Sequence, residues 1–511
     1  MTVRIATAAE SMECEMATMA TGIAPRTLME RAGQAAAEAI VSRFPLGQWT
    51  QVTVATGPGN NGGDGWIVAG LLAARGYRVR VAEAVSARSP DAIGARDRAL
   101  AACTDSPGSI VLEDNIGSSR LIVDALLGTG STGTPQGKIS PTIESINSAH
   151  AAGVWVVALD VPSGVNATNG SADGAIRADL TLAFGTLKRG HLTARDFCGE
   201  VLALDIGLTE SPAMAALPTL IDTAWAQSHI PVIPWTAHKG TRKRLAVIGG
   251  GVGMAGAALL AGRGALRSGI GLLHLIVNRE NIGPVHAGVP QALVSAWPEV
   301  ASDTARVAES SDVIAIGPGL GRSDATRELV ERVMLAFNGP LVLDADALNV
   351  FENDAASLAT LIGNRLAILT PHPAELGRLL GTSVDDVLAR RFDIGMELAR
   401  SVGAVVLLKG TPTVVFVPGG ERYVIASGTA ALATGGSGDI LTGVCATLLS
   451  QMSDAGEAAA CSAFVHGRAA ELCNGVRGIT LDDVLEAMPA AWNENATELP
   501  AGVLAMLDAR K

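Results

Sequence analysis

Short runs of branched aliphatic residues alternate along this chain with alanine-rich segments of helical period. In the first part, Gln51–Ala55, Arg78–Ala82, Leu121–Asp124, Val154–Leu159 and Leu180–Phe184 read as strands. In the second, Arg244–Ile248, Leu272–Val277, Val313–Ile316, Leu341–Leu343, Leu366–Leu369 and Val405–Leu408 do so. Apolar strands separated by helices are the pattern of parallel sheets covered on both faces, so the chain is expected to be α/β, with two three-layer αβα domains. Residues from about 210 to 239 interrupt the alternation, holding Pro212, Pro218, Pro231 and Pro234 with little periodicity. They read as a linker. The expected division is a first domain over 1–209, a linker over 210–237 and a second domain over 238–511. Within the second, Thr413–Val417 and Glu421–Ile425, joined by Pro418-Gly419-Gly420, read as a β-hairpin.

Composition narrows the function classes. The chain has 511 residues, more than one core supports. Its formal charge of −12 argues against nucleic acid or an anionic membrane as partner, because both reward a basic surface. A phosphorylated ligand must then be held by local amides. The six cysteines (Cys14, Cys103, Cys198, Cys445, Cys461, Cys473) are scattered, with no C-x-x-C pair and no histidine cluster at zinc spacing, which fits a reducing cytoplasm. Residues 1–16 carry Arg4, Glu10, Glu13 and Glu15 without an apolar stretch, and no run of about 18 apolar residues occurs, so neither export nor membrane spanning is expected. A mean hydropathy of +0.33 suggests apolar surface buried in a homo-oligomer.

The densest chemistry lies in Ala433-Thr434-Gly435-Gly436-Ser437-Gly438-Asp439-Ile440. Small residues run at once into an apolar helical segment, which leaves backbone amides free at a helix N-terminus and forms an anion site. An acid set into such a site suits proton transfer beside the anion better than binding it, so Asp439 reads as a general base. The plainer alternative is a glycine turn whose Asp caps the helix. In the first part, Gly57, Gly59 and Gly62 have dinucleotide-binding spacing, with Glu83 where a ribose-binding acid belongs, so a dehydrogenase is one alternative. Asn60, Asn61 and Asp64, however, crowd that turn with side-chain oxygens, which suit a cation or sugar hydroxyls. Asp124, Asp160 and Ser163 follow at strand ends, and in an open parallel sheet these converge on one crevice. Taken singly, each is as well explained as an ordinary turn residue. Lys409, at the end of an apolar strand, either meets a phosphate or reaches solvent. His372, between prolines, is more often a structural histidine than a ligand.

The series Leu28-Met29-Glu30-Arg31-Ala32-Gly33, Gly59-Asn60-Asn61-Gly62-Gly63-Asp64-Gly65, Asp124-Ala125-Leu126-Leu127-Gly128-Thr129-Gly130 and Asp160-Val161-Pro162-Ser163-Gly164-Val165 resembles the NAD(P)HX epimerase family over nearly all of residues 1–208. The resemblance implies a Rossmann-like domain. It places Asn60, Asn61, Gly62, Gly63, Asp64, Gly128, Thr129, Gly130, Ser131, Thr132, Gly133, Thr134 and Asp160 at the hydrated nucleotide, and Asn61, Asp124 and Ser163 at a potassium ion. Asp160 is also the candidate acid–base group. Glu15 stands near where that family is expected to have an aspartate, at a position expected to lie apart from the chemistry.

From His238-Lys239-Gly240 onward, the glycine turns Gly249–Gly253 and Gly317–Gly321, then Asp344-Ala345-Asp346, Thr370-Pro371-His372-Pro373, Lys409-Gly410-Thr411-Pro412-Thr413 and the Asp439 loop resemble the ADP-dependent NAD(P)HX dehydratase family, with its ribokinase-like fold. That implies Ala257, Gly319, His372 and Asp439 at the substrate, Lys409, Gly410, Thr411, Pro412, Thr413 and Gly438 at ADP, and a magnesium ion with the phosphates. Gly251 stands where a serine is expected. Joined, the two resemblances imply one chain that epimerises NADHX and NADPHX and dehydrates the S form. A ribokinase-like small-molecule kinase fused to a nucleotide-binding domain is the alternative, and it leaves Asn60–Asp64 without a purpose.

Overall fold

The computed structural model describes residues 2–102 and 108–509. Cys103, one of the scattered cysteines, lies outside the described residues. The chain forms two compact units, Met1–Thr219 with Glu498–Lys511, and Leu220–Thr497.

In the first unit, β1 (Gln51–Thr56), β2 (Arg78–Glu83), β3 (Ser109–Glu113), β4 (Leu121–Ala125), β5 (Trp155–Leu159), β6 (Leu180–Phe184) and β7 (Glu200–Leu204) pair in parallel. Their spatial order is β3-β2-β1-β4-β5-β6-β7, the Rossmann-like order. The sheet winds outward from β1 in both directions, so the loops after β1 and β4 part at its reversal point. β4 and β6 are buried along their whole length, as strands covered on both faces must be.

The second unit repeats the arrangement. β8 (Thr219–Ile221), β9 (Arg244–Ile248), β10 (Leu272–Val277), β11 (Leu293–Ala296), β12 (Val313–Ile316), β13 (Leu341–Leu343), β14 (Ala367–Leu369), β15 (Val405–Leu408), β16 (Thr413–Phe416) and β17 (Arg422–Ile425) lie in the order β11-β10-β9-β12-β13-β14-β15-β16-β17-β8. The reversal point falls between β9 and β12. The expected hairpin is β16 against β17, antiparallel, with Thr413 opposite Ile425. Each expected strand is present to within one or two residues. Of those not foreseen, half-exposed β3 and four-residue β11 lie at sheet edges, where a polar, short segment carries a weak apolar signal.

The last strand departs from the expected division. β18 (Val503–Leu507) lies not in the second sheet but antiparallel against β7, with Leu507 opposite Val201 and Val503 opposite Leu204. Asp205 N donates to Gly502 O at 2.8 Å, and the Arg195 guanidinium donates to the Asp508 carbonyl. The physical reason is the free edge of β7, whose amides and carbonyls need partners that an apolar strand supplies wherever it stands in the sequence. The expected linker also carries structure, including β8 and the helix Thr223–His229, capped by Asp222 on Trp225 N at 2.8 Å. No helix among the described residues is long and apolar enough to cross a membrane.

Ending the chain at Thr497 should therefore loosen the first unit alone. Hydrogen exchange is expected to quicken at least about tenfold at the β7 amides that face β18 and to stay unchanged in β9 and β12. Unchanged protection of β7 would show that β18 adds nothing to that edge.

Candidate active sites

The loop after β1 enters helix α1 (Asn60–Ala74) at Gly59, which contributes no side-chain cap. The amides of Asn60, Asn61 and Gly62 have no protein acceptor, which leaves an anion site at the helix terminus. Close packing imposes the glycines here. A Cβ at Gly57 would stand 1.8 Å from Leu126 O, and one at Gly62 2.1 Å from Gly57 O. The loop after β4 lies alongside, since a Cβ at Gly128 would be 3.1 Å from Asn61 Cβ. Asn61 Nδ2 donates to Leu127 O at 2.9 Å, while its Oδ1 is buried with no donor. Ser163 donates from its hydroxyl to Asp124 Oδ1 at 2.6 Å and from its amide to Asp124 Oδ2 at 2.8 Å. Burial pushes the Asp124 carboxyl up to about 6, against the hydrogen bonds from Ser163 and Leu126.

Asn61, Asp124 and Ser163 thus meet as expected, in a pocket of oxygens holding an orphaned carbonyl and a carboxylate without a cationic side chain. Such a donor set fits a hard cation. No group of three His, Cys, Asp or Glu among the described residues is arranged for a metal. The outer end of the Gly128–Thr134 loop is exposed, and there Thr134 donates to Asp173 Oδ2 at 3.3 Å.

Asp160, at the end of β5, has a partner that the sequence pattern did not reveal. Lys188 is 1% exposed and places its Nζ 2.5 Å from Asp160 Oδ1. Burial, then the Asp160 and Glu15 carboxylates, push Asp64 well above the usual carboxylate range, against the pull of Lys188. Burial likewise raises Glu15, with Lys188 opposing and Asp160 adding. Glu15 is thus electrostatically coupled to Lys188, Asp160 and Asp64.

In the second unit, helix α2 (Pro373–Leu380) begins at His372 and helix α3 (Ser437–Gln451) begins at Gly436. The amides of Gly435, Gly436 and Gly438 have no protein acceptor. Asp439 stands in the first turn of α3, where burial, then Asp344, push its carboxyl up to about 7; Lys409 opposes, and Asp346 and Glu375 add to the rise. Asp344 is the hub. It takes Lys409 Nζ at 2.8 Å and the Thr370 hydroxyl at 2.7 Å on Oδ1, and the Thr442 hydroxyl at 2.6 Å on Oδ2. Burial alone would raise Asp344, but Lys409 and these bonds hold it below the usual range. Burial would lower Lys409, whose side chain is 19% exposed, yet Asp344 and Glu375 keep it raised and charged.

The loops after β9 and β12 close against each other, with Gly250 N on Pro318 O at 2.9 Å and Gly251 N on Gly319 O at 2.6 Å. A Cβ at Gly251 would meet Gly319 O at 2.9 Å and Leu320 O at 3.0 Å, so this chain has little room for the expected serine. Ala257 and Gly319 are neighbours, since a Cβ on Gly319 would lie 2.9 Å from that of Ala257. His372 caps α2, its Nδ1 accepting from Ala374 N at 3.1 Å, and its ring is half-exposed. Burial, then Lys409 and Arg378, lower it to about 4, so it is neutral, with its Nε2 3.3 Å from Glu375 Oε1. Structural cap and substrate-facing group are compatible in one residue. Arg391, which the motifs did not single out, lies buried behind Lys409–Thr413 and donates to Pro412 O at 3.0 Å and Lys409 O at 3.4 Å. A Cβ at Gly410 would collide with its guanidinium at 2.2 Å.

Two family models match the chain. One, described as YjeF-related protein N-terminus, covers residues 25–190, and the other, described as NAD(P)H-hydrate dehydratase, covers 245–489. The bifunctional NAD(P)H-hydrate repair enzyme Nnr of Coxiella burnetii is 36% identical over 483 residues, spanning 92% of this chain and 96% of its own. That of Escherichia coli K12 is 36% identical over 494 residues, spanning 93% and 91%. Among solved structures, an ADP/ATP-dependent NAD(P)H-hydrate dehydratase from Bacillus subtilis, co-crystallised with ATP and Mg2+, is 29% identical with a TM-score of 0.47, covering 53% of this chain and 96% of that one. A ribokinase-like superfamily protein from Enterococcus faecalis is 25% identical with a TM-score of 0.49, covering 56% and 98%. With more than a third of its residues shared with full-length relatives across both units, the chain belongs to the family of bifunctional NAD(P)H-hydrate repair enzymes.

Proposed function

We propose that the first unit interconverts the R and S forms of NADHX and NADPHX, and that the second dehydrates the S form to NADH or NADPH with ADP, releasing AMP and phosphate. The observation that carries the reading is Asp439, a carboxyl raised towards neutrality in the same loop as the acceptor-free amides of Gly435, Gly436 and Gly438. Such a group takes a proton from a hydroxyl that is becoming a nucleophile, while the amides of Gly435–Gly438 stabilise negative charge beside it. Hydroxide leaves the C6 carbon of the ring poorly. ADP supplies the phosphoryl group that makes the C6 oxygen a better leaving group, and the ring-nitrogen lone pair then expels phosphate. Lys409, Gly410, Thr411, Pro412, Thr413 and Gly438 hold the ADP phosphates, with magnesium alongside. Asp439 also touches the substrate, with Ala257, Gly319 and His372.

In the first unit, Asn60–Asp64, Gly128–Thr134 and Asp160 hold the nucleotide. Asn61, Asp124 and Ser163 hold potassium, whose charge compensates the buried Asp124 carboxylate and fixes the loop after β4. Asp160 assists departure and return of water at C6. A site selective for one epimer leaves the other unused, which is the reason to join the two activities. The free thiols of the described cysteines suit a reducing cytoplasm, and the homo-oligomer remains part of this reading.

Asp439→Asn should fold normally and lose dehydration by about 10²–10⁴-fold, as removal of a general base requires. A variant keeping more than half its rate would send the proton elsewhere. Because the working form of Asp439 is the carboxylate and its pKa is raised, protonation removes the base as pH falls. Dehydration kcat/KM should therefore fall on the acid side of about pH 7. A flat profile between pH 5.5 and 8 would contradict the assignment. Epimerisation should slow when sodium or lithium replaces potassium, and Asp124→Ala should do the same in potassium. Equal rates in the three salts would count against the cation site.

A further inference from the structure

Asp160 is held in an unfavourable backbone conformation by two side chains from one short segment. Its φ is +59°, in the left-handed region that non-glycine residues rarely adopt. Lys188 Nζ donates to Asp160 Oδ1 at 2.5 Å, to Phe184 O at 2.9 Å and to Thr186 O at 3.1 Å. Those three bonds use every proton of the ammonium, so Lys188 has none to offer a substrate. Phe184 N also donates to Asp160 Oδ1, at 3.3 Å. Oδ1 is therefore doubly engaged, whereas Oδ2 accepts from no group among the described residues.

His191 fixes the main chain of the same residue. It is wholly buried, and its Nδ1 accepts from Lys188 N at 3.0 Å. The ring proton is then on Nε2, which donates to Asp160 O at 2.7 Å. Burial, then the Lys188 charge, lower His191 to about 4, which keeps the ring in this neutral form.

We propose that Lys188 and His191 are positioning residues for epimerisation: they clamp Asp160 by its Oδ1 and its carbonyl, and leave Oδ2 as the single oxygen that exchanges a proton with the C6 hydroxyl. The inference rests on Asp160 being an acid–base group of the first unit. On the face of the ring that Asp160 serves, the C6–O bond breaks as a proton passes from Oδ2 to the departing oxygen. The ring-nitrogen lone pair forms the N=C bond and water leaves. Water then adds to C6 on the opposite face, the N=C pair returns to nitrogen, the released proton passes to solvent and Oδ2 is reprotonated from solvent. In the other direction the same steps run backwards and Oδ2 takes the proton. A carboxylate free to rotate would present either oxygen at variable distance, so the clamp should act on kcat rather than on binding.

The test uses the full chain, with consumption of (R)-NADHX reporting epimerisation and ADP-dependent conversion of (S)-NADHX serving as an internal control. Lys188→Met should lower epimerisation kcat by about 10²-fold with KM within threefold and (S)-NADHX conversion unchanged. The double variant with Asp160→Asn should be no slower than Asp160→Asn alone, because Lys188 acts only through Asp160. Should Lys188→Met fail to fold, His191→Phe removes no charge and carries the same expectations, with a loss of about tenfold. Retention of more than half of kcat in the folded variant, or multiplication of the two losses in the double variant, would overturn the positioning role. An Asp160→Asn protein that epimerises normally would instead overturn the reading of Asp160 itself.

Discussion

Each unit depends on one steric constraint, the near-contact of two backbone loops where a parallel sheet reverses its winding. A Cβ at Gly57 would lie 1.8 Å from Leu126 O, and one at Gly249 2.4 Å from Pro318 O. Neither position admits a side chain, because the offending atom is backbone and cannot swing away. Glycine at these points lets the loops close, and closure places helix N-termini and strand-end carboxylates on one crevice. The acceptor-free amides of Asn60–Gly62 are thus a consequence of packing.

Charge is arranged in a common way within that frame. Each site sets one lysine against one strand-end carboxylate with one partner of the pair 1% exposed, Lys188 beside Asp160 and Asp344 beside Lys409. Removing a single partner from such a buried pair leaves an uncompensated charge, at a cost of about 3–5 kcal/mol. The paired carboxylates are anchored for this reason. Asp64 and Asp439 have no ammonium of their own within ion-pair distance, and burial plus neighbouring carboxylates push both up. Environments that separate the behaviour of nearby acids in this way are what proton transfer near neutral pH requires.

Backbone strain marks the same places. Asp160 at φ +59° and Ala345 at φ +50°, beside Asp344, are non-glycine residues in the left-handed region. Both follow a strand end, and both orient a carboxylate that accepts several hydrogen bonds. The bonds hold a conformation that local preference would reject.

Much of this was legible beforehand. Strands such as Arg244–Ile248 announce themselves because burial on both faces demands unbroken aliphatic runs, and the reversal-point loops do so because only glycine fits. Asn61, Asp124 and Ser163 are also readable, since short polar residues at successive strand ends converge in any open parallel sheet. The layered α/β plan, its glycine turns and the residues at their tips are thus written in the local pattern of the chain. Tertiary structure alone decided the rest. Nothing along the chain singles out Lys188, and only the fold shows its side chain 1% exposed beside Asp160. Glu15, Arg391 and β18 are further cases. Their roles arise from partners far away in sequence, through burial, charge and the hydrogen-bond demand of an open sheet edge, and those forces depend on distance in space.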